Sequence, residues 1–300
     1  MKSARTPRVT IGVPAYNAER YLALALESVM NQTYEDIEIL VCDNASTDST
    51  GNIVREFANR DRRIRYVRNE ENIGAGRNFI RCVELTRSEL FRWQAADDLS
   101  APTFVERCVE VLDARPDVIQ AYPRTILIDA NGAELEKYNE RIQTLADSPR
   151  HRYLHVMRNL GLVNSSFGVM RTNLLRKTAI LGSYQGGDVV WQAEMALYGK
   201  LYEIPEYLHF RRMHAGAHSA MTFAQGHAFY NPSRPRRHEL RVWRQSYDRV
   251  RSVLRSPLPA VERARLTASI ARDAIASRDT LMTELFSSLL HPWAGVESSA

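Results

Sequence analysis

Through residue 122 the chain alternates short apolar runs with helically spaced apolar residues, and this alternation constrains the fold more than any other feature. Val9–Val13 is a β-type run closed by Pro14. From Ala18 to Met30, Leu22, Leu26 and Val29 recur at three- and four-residue steps, the spacing of one helix face. The pattern then repeats. Strand 37–42 leads through the cap-rich turn 43–50 to a helix carrying Ile53, Val54 and Phe57. Strand 64–67 leads through a glycine-bearing loop, 72–78, to a helix with Phe79, Ile80 and Val83. Strand 89–94, helix 102–114 and strand 118–122, ahead of Pro123, complete the series. Such a series predicts an α/β fold, doubly wound, with a mostly parallel central sheet and helices on both faces. The loops at the strand carboxyl ends, 14–17, 43–48, 68–78 and 95–101, then meet at one crevice, where open sheets bind ligands.

The second half is less regular. Residues 131–150 are polar and read as a loop. Helices are expected at 151–160, 174–179 and from Asp188 onward, with strands at 166–171 and 207–211. Trp243, Tyr247, Val250 and Leu254 form one apolar stripe on a helix, and a further helix spans roughly 260–290. Residues 1–220 are expected to form the main domain and 221–300 a helical extension, packed on the core or on another subunit.

Composition sets limits. The 300 residues are 44% hydrophobic and 25% charged, ordinary for a globular chain. No run approaches the ~20 apolar residues of a membrane span. Met1–Arg8 lacks the apolar region of a signal peptide. Cys42, Cys82 and Cys108 have no metal-ligand spacing and read as core thiols of a cytoplasmic protein. The net charge of +5 is concentrated in residues 233–255, where eight arginines, Arg236 and Arg237 among them, face Glu239 and Asp248. This segment reads as a solvated helix face or as a contact for anionic lipid at the inner face of the membrane. No helix-turn-helix, zinc or aromatic-interleaved basic pattern indicates nucleic acid.

One stretch carries chemistry directly. Strand 89–94 ends in Asp97 and Asp98, and Pro102 opens the next helix. Adjacent carboxylates there either cap that helix or help to hold Mg²⁺ or Mn²⁺ on a diphosphate. The glycine loop 72–78 lacks the dinucleotide-binding spacing, which argues against nicotinamide or flavin. Trp93, inside a strand, is expected in the core.

Taken in order, Thr10-Ile-Gly-Val-Pro-Ala-Tyr-Asn17, Val41-Cys-Asp-Asn-Ala-Ser-Thr-Asp48, Asn72-Ile-Gly74, Ala96-Asp-Asp98 and Gly187-Asp188 resemble family 2 glycosyltransferases of the GT-A fold. The stretch after Asp188, through Phe210-Arg-Arg-Met-His214, continues the likeness, which covers roughly residues 8–220. It implies transfer of a sugar from a nucleotide diphosphate sugar to a glycan, lipid-linked or small-molecule acceptor, with Mn²⁺ or Mg²⁺, often in making cell-surface glycans. It would place Pro14, Ala15, Tyr16 and Asn17 at the nucleoside, Asp43 at the base, and Asn72, Gly74 and Arg77 beside the nucleotide. Asp97 is the implied metal ligand, with Asp98 a second ligand or its support and His214 a further candidate. Asp188 is the implied catalytic base of an inverting reaction, or the cap of its helix.

The family's Asp-x-Asp-Asp motif reads Ala95-Ala-Asp-Asp98 here, so its first carboxylate is absent. That departure leaves open a catalytically impaired nucleotide-sugar-binding protein. A nucleotidyltransferase is a further alternative, but Pro14–Asn17 lacks the glycine- and base-rich loop that grips a triphosphate.

Overall fold

The computed structural model describes residues 5–217, 220–232 and 240–290. Arg234, Arg236, Arg237 and Glu239 of the basic segment lie outside the described residues. The first half follows the expected order: β1 (Val9–Ala15), α1 (Leu22–Met30), β2 (Ile37–Asp43), α2 (Thr50–Arg60), β3 (Ile64–Arg68), α3 (Ala75–Leu85) and β4 (Leu90–Trp93). A two-residue strand β5 (Leu99–Ser100), α4 (Phe104–Ala114) and β6 (Val118–Ile128) follow. Strands β3, β2, β1 and β4 lie side by side in parallel register.

Beyond β6 come β7 (Glu134–Tyr138), α5 (Pro149–Asn159), β8 (Val169–Arg171), α6 (Thr172–Leu175), α7 (Gly187–Tyr198) and β9 (Lys200–Arg212). The sheet order is β3-β2-β1-β4-β8-β6-β9-β5, with β7 paired on β6. The long β6–β9 ladder is parallel, and the short strands β5, β7 and β8 pair antiparallel. Four more helices end the described chain: α8 (Phe223–Tyr230), α9 (Arg241–Arg255), α10 (Ala260–Ala276) and α11 (Arg278–Leu290).

Both faces of the sheet are covered, because its strands are apolar at successive positions. Ile39 and Val41 join Val9, Ile11 and Val13 against α1, α2 and α4. Leu40 and Cys42 point the other way, with Phe91 and Trp93, toward α3, α5 and α7. Gly12 faces that second layer. A Cβ there would stand 2.7 Å from Cys82 Cβ and 2.8 Å from Phe91 Cζ, so only glycine lets α3 seat on β1. Trp93 is a core residue: its ring meets Trp191 at 5.4 Å, and its Nε1–H donates to the Phe79 carbonyl at 3.0 Å. All three cysteines are buried and free, and burial pushes the Cys108 thiol up to about 12.

Several elements differ from the sequence expectation. β6 does not stop at Pro123. Its register against β9 shifts around Pro123 and Arg124, and the irregularity absorbs a residue with no N–H to donate. β7 interrupts the polar 131–150 stretch. It is exposed, so it has no apolar alternation to announce it. Its turn is made by Asp129 Oδ1, which accepts from the N–H groups of Asn131 and Ala133, both at 2.8 Å. The expected 260–290 helix is two helices, broken at Ser277.

The stripe on α9 is divided: Val250 packs against the second core layer, and the other three residues face outward. Trp243, Tyr247 and Leu254 are 42%, 61% and 56% exposed, while Val253 enters the second core layer. Leu258, Leu266 and Ile270 join the same layer, so α9 and α10 share the core that covers α7.

Candidate active site at the strand carboxyl ends

The loops after β1 and β2 are tied to each other. Asn17 takes a left-handed conformation (φ 46°). Its Oδ1 accepts from Thr47 N–H at 2.9 Å, and its own N–H donates to Ser46 Oγ at 3.0 Å. Asp43, fully buried at the end of β2, accepts from Ser46 N–H at 2.8 Å and from the Tyr66 hydroxyl at 2.6 Å. Arg68 Nε stands 3.5 Å from the same carboxylate. Burial, reinforced by the Asp43 hydrogen bond, pushes the Tyr66 hydroxyl up to about 12. Pro14 and Ala15 are the last residues of β1, and the ring of Tyr16 is exposed.

Four asparagines fasten the next loop. Asn44 Nδ2 donates to Asn72 Oδ1 at 2.7 Å, and Asn44 Oδ1 accepts from Asn69 Nδ2 at 2.9 Å and Ile73 N–H at 3.0 Å. Asn69 also donates to Asn78 Oδ1, and Asn78 Nδ2 donates to the Cys42 carbonyl at 2.8 Å. Asn72 Oδ1 receives Gly74 N–H at 2.9 Å as well, so its oxygen is held by the fold. Gly74 has φ +84°, and a Cβ there would meet the Tyr230 carbonyl oxygen at 2.2 Å. Glycine is needed both for the conformation and for the approach of α8. Arg77 follows in the first turn of α3, exposed and without an ion pair to any described residue.

The two aspartates after β4 have divergent surroundings. Fully buried Arg92 donates to Gln94 Oε1 at 2.8 Å and Ser100 Oγ at 3.1 Å. Its guanidinium lies 3.7 Å over Phe104, and burial lowers it to about 9. Gln94 Nε2 in turn donates to the Asp98 carbonyl at 2.8 Å. Asp98 is buried: Oδ1 accepts from Arg212 N–H at 2.8 Å and Oδ2 faces His209 Nε2 at 3.4 Å. Asp97 points outward, and its Oδ2 meets His214 Nε2 at 2.9 Å. His214 Nδ1 accepts from Gly216 N–H at 3.2 Å, which in a neutral ring leaves Nε2 as the protonated nitrogen that donates to Asp97. Tyr21 braces the pair, its ring 5.0 Å from His214 and 4.7 Å from the Arg212 guanidinium.

This donor set can be tested against a divalent ion. Among the described residues no group of three His, Cys, Asp or Glu side chains could hold a metal. Asp97 Oδ2 and His214 Nε2 converge, while Asp98 is occupied by β9; a metal on Nε2 would require the ring proton to move to Nδ1, giving up the Gly216 contact. Two protein donors fit a hard cation that takes its other ligands from substrate phosphates and water.

Asp188 lies in the first turn of α7, after Gly186 (φ +90°), and its Oδ1 accepts from Val189 N–H at 3.0 Å. Burial raises the hydroxyls of both Tyr184 and Tyr230; next in size comes the Asp248 carboxylate for Tyr184 and the Asp188 charge for Tyr230. A cavity of about 720 Å³ opens beside it, lined by Asn72, Arg77, Tyr184, Gly187 and residues of α9. Pro14–Asn17, Asp43, Gly74, Asp97, Asp98, Asp188 and His214 do not line this cavity.

Residues 10–178 match the family model described as "Glycosyl transferase family 2". The chain belongs to this family. An uncharacterized glycosyltransferase of Methanocaldococcus jannaschii is 30% identical over 134 residues, covering 44% of this chain and 46% of that protein. The chain thus spans about half the length of that relative. An uncharacterized glycosyltransferase of Haemophilus influenzae is 26% identical over 225 residues, 72% of this chain and 68% of that protein. Among solved structures, TarS 1-349 of S. aureus in complex with UDP-GlcNAc superposes with TM-score 0.63 at 17% identity, covering 90% of this chain and 73% of that one. The mannosyltransferase PcManGT of Pyrobaculum calidifontis, in complex with GDP-Man and Mn²⁺, superposes with TM-score 0.55 at 16% identity over 98% of this chain and 89% of that one. These two likenesses show the GT-A fold.

Within this family fold, the supports of the site were harder to read from sequence than the site itself. Arg92, Gln94, Ser100, Asn69 and Tyr66 carry no motif; Arg92, Gln94 and Ser100 bond one another, while Tyr66 and Asn69 reach Asp43 and Asn44 at the end of β2. Buried polar types inside apolar strands, such as Arg92 in Leu90–Trp93, were the one available signal. Asp98→Ala leaves the buried Arg212 N–H without its acceptor and is expected to cost about 1–3 kcal/mol of stability. Asp97→Ala removes a partly exposed pair with His214 and is expected to cost under about 1 kcal/mol. Denaturant unfolding of the two variants checks this; equal losses would contradict the division between them.

Proposed function

We propose that this chain is an inverting glycosyltransferase that moves a sugar from a nucleotide diphosphate sugar to an acceptor hydroxyl, in the synthesis of a cell-surface glycan or polysaccharide. The observation that carries the reading is the outward-facing Asp97–His214 pair at 2.9 Å, held at the carboxyl end of β4 in a family 2 chain. TarS is solved with UDP and UDP-GlcNAc and PcManGT with GDP-Man and Mn²⁺, which supports this donor class and a divalent ion.

In this reading Pro14, Ala15, Tyr16 and Asn17 cradle the nucleoside. Asp43 has both oxygens engaged, so it acts on the base by fixing Tyr66 and the 43–46 turn. Asn72 and Gly74 shape the loop that presents Arg77 to the diphosphate. Asp97 and His214 would hold a divalent ion, Mn²⁺ or Mg²⁺, which would supply stabilisation of the charge accumulating on the departing diphosphate. Asp98 supports that pair from behind. Asp188 accepts the proton of the acceptor hydroxyl as its oxygen bonds to the anomeric carbon and the bond to the diphosphate breaks. One base and one in-line displacement invert the anomeric configuration.

A screen of nucleotide sugars for turnover and thermal stabilisation identifies the donor. Stabilisation without turnover across broad acceptors would favour the impaired-binder alternative raised by Ala95. Asp188→Asn is expected to keep donor affinity and lower kcat by roughly 10²–10⁴. Loss of donor affinity with kcat unchanged would instead make Asp188 a binding or structural residue.

The reading extends to peripheral contact with an anionic membrane surface. Exposed Trp243, Tyr247 and Leu254 on α9 and Met282, Phe286 and Leu289 on α11 leave apolar rings and chains uncovered among arginines. Trp243 Nε1–H donates to the Leu281 carbonyl at 3.0 Å and fastens the two helices together. Among the described residues no helix is long and apolar enough to cross a membrane. Binding to vesicles containing phosphatidylglycerol is expected at low salt, weakening as added salt shortens the screening length below about 8–10 Å. Trp243→Ala together with Tyr247→Ala should reduce it. A protein that ignores these vesicles at low salt would contradict the membrane contact.

A further inference from the structure

The cavity beside α7 has a chemistry that donor recognition leaves unused. Its walls are the 71–77 and 179–187 loops, the start of α7, the end of α8 and one face of α9. Helix α9 contributes Arg244, Asp248, Arg251 and Arg255 to the lining. Arg255 is already paired: its Nη1 stands 3.3 Å from Oε1 of buried Glu194. Glu194 is also the acceptor for Ala179 N–H at 3.1 Å, and burial holds its carboxyl above the usual range. Arg244 and Arg251 make no ion pair with any described residue. Arg244 lies 4.4 Å over the ring of Tyr184, and Arg251 packs on Tyr247 at 5.6 Å.

Tyr184 is the second observation. It is 1% exposed and lines the cavity, and burial, together with the Asp248 carboxylate that its hydroxyl faces, raises its pKa. With the Arg255–Glu194 pair set aside, the lining leaves the guanidiniums of Arg77, Arg244 and Arg251 against the carboxylates of Glu71 and Asp248. Guanidinium groups grip phosphoryl or carboxylate oxygens through charge-assisted hydrogen bonds. Carboxylates and a phenol pair with hydroxyls. The mixture suits a ligand that carries both an anion and several hydroxyls.

We propose that this cavity is the acceptor subsite, and that it takes a sugar or polyol bearing an anionic phosphoryl or carboxylate group, gripped by Arg244 and Arg251. The proposal rests on the transferase reading and names its acceptor class. Gly187, the residue before Asp188, lines the cavity, while the Asp188 side chain itself does not, so the cavity adjoins the candidate base without containing it. Arg77 belongs to the donor side and marks where the two ligands adjoin.

Calorimetric titration of the full chain, with and without saturating nucleoside diphosphate, tests this. The probes are glycerol 3-phosphate, glucuronate, a short-chain phosphatidylglycerol and neutral glycerol. At least one anionic probe should bind more tightly than glycerol, and the tightest one separates a soluble phosphate, a carboxylate and a lipid-borne phosphate. Arg251→Gln and Arg244→Gln should each weaken that probe by about tenfold, the scale of a lost charge-assisted hydrogen bond. Arg251→Lys should recover part of the affinity. Arg241→Gln, a change of equal charge on the same helix but outside the cavity, should not change it. Nucleoside diphosphate affinity, measured in parallel, should be unaltered by all four substitutions. Failure of nucleotide binding alone would remove the donor reading while leaving the anion result standing. Equal binding of glycerol and the anions, displacement of the anion by nucleoside diphosphate, or the same loss in Arg241→Gln as in Arg251→Gln would overturn the proposal. Thermal melts confirm that each variant is folded; should Arg244→Gln melt early because Tyr184 loses its stacking partner, Arg251→Gln and its lysine counterpart decide alone.

Discussion

A buried carboxylate holds the site together. Asp98 accepts the backbone N–H of Arg212 and faces His209, so the loop after β4 is joined to the end of β9, more than a hundred residues away in the chain. Arg212 returns the contact by donating from Nε to the Asp97 carbonyl at 2.9 Å. Between these two bonds Asp97 has little freedom, and His214, two residues past Arg212, meets it. Without this link Asp97 and His214 would be a loop carboxylate and a loop imidazole with no reason to converge. Arg92 and Gln94 steady the same loop from beneath, through Ser100 and the Asp98 carbonyl.

The other half of the crevice is stiffened by amides rather than charges. Asn44, Asn69, Asn72 and Asn78 bond in series from the end of β2 to the start of α3, so the loop that carries Gly74 and Arg77 is set by the sheet. Helix α8 then lies on that loop at Gly74, and Gln245 of α9 closes on Gly186, where a Cβ would stand 2.2 Å from Gln245 Nε2. The C-terminal helices therefore do more than cover apolar surface. They build one wall of the cavity beside Asp188, and they leave Trp243 and Tyr247 facing solvent.

The first half of the fold was legible because its strands are buried on both faces and its helices on one, so each has a distinct apolar pattern. Val9–Ala15 and Ile37–Asp43 are apolar at nearly every position, and α1 shows Leu22, Leu26 and Val29 at helical steps. β7 escaped notice because an exposed strand needs no apolar alternation. The stripe on α9 was legible as a pattern but not in its direction: Val250 of the stripe and Val253 beside it meet the core, while Trp243, Tyr247 and Leu254 are exposed. At the site, the motif positions could be placed from order along the chain. What separates Asp97 from Asp98 could not, because two adjacent carboxylates have the same chemistry until β9 claims one of them. The asparagine series was equally hidden: Asn44 and Asn69 are 25 residues apart, and only the folded sheet brings them together.

The central claim is that Asp98 lets Asp97 and His214 act as one two-donor site for a cation that arrives with the nucleotide. Pulsed electron paramagnetic resonance of Mn²⁺, bound to the protein together with a nucleoside diphosphate, tests it most directly. The account predicts a ¹⁴N coupling from one directly coordinated imidazole, absent in His214→Ala, with the ³¹P coupling of the diphosphate present in the same spectrum. Bound Mn²⁺ that shows the ³¹P coupling but no imidazole nitrogen would contradict it.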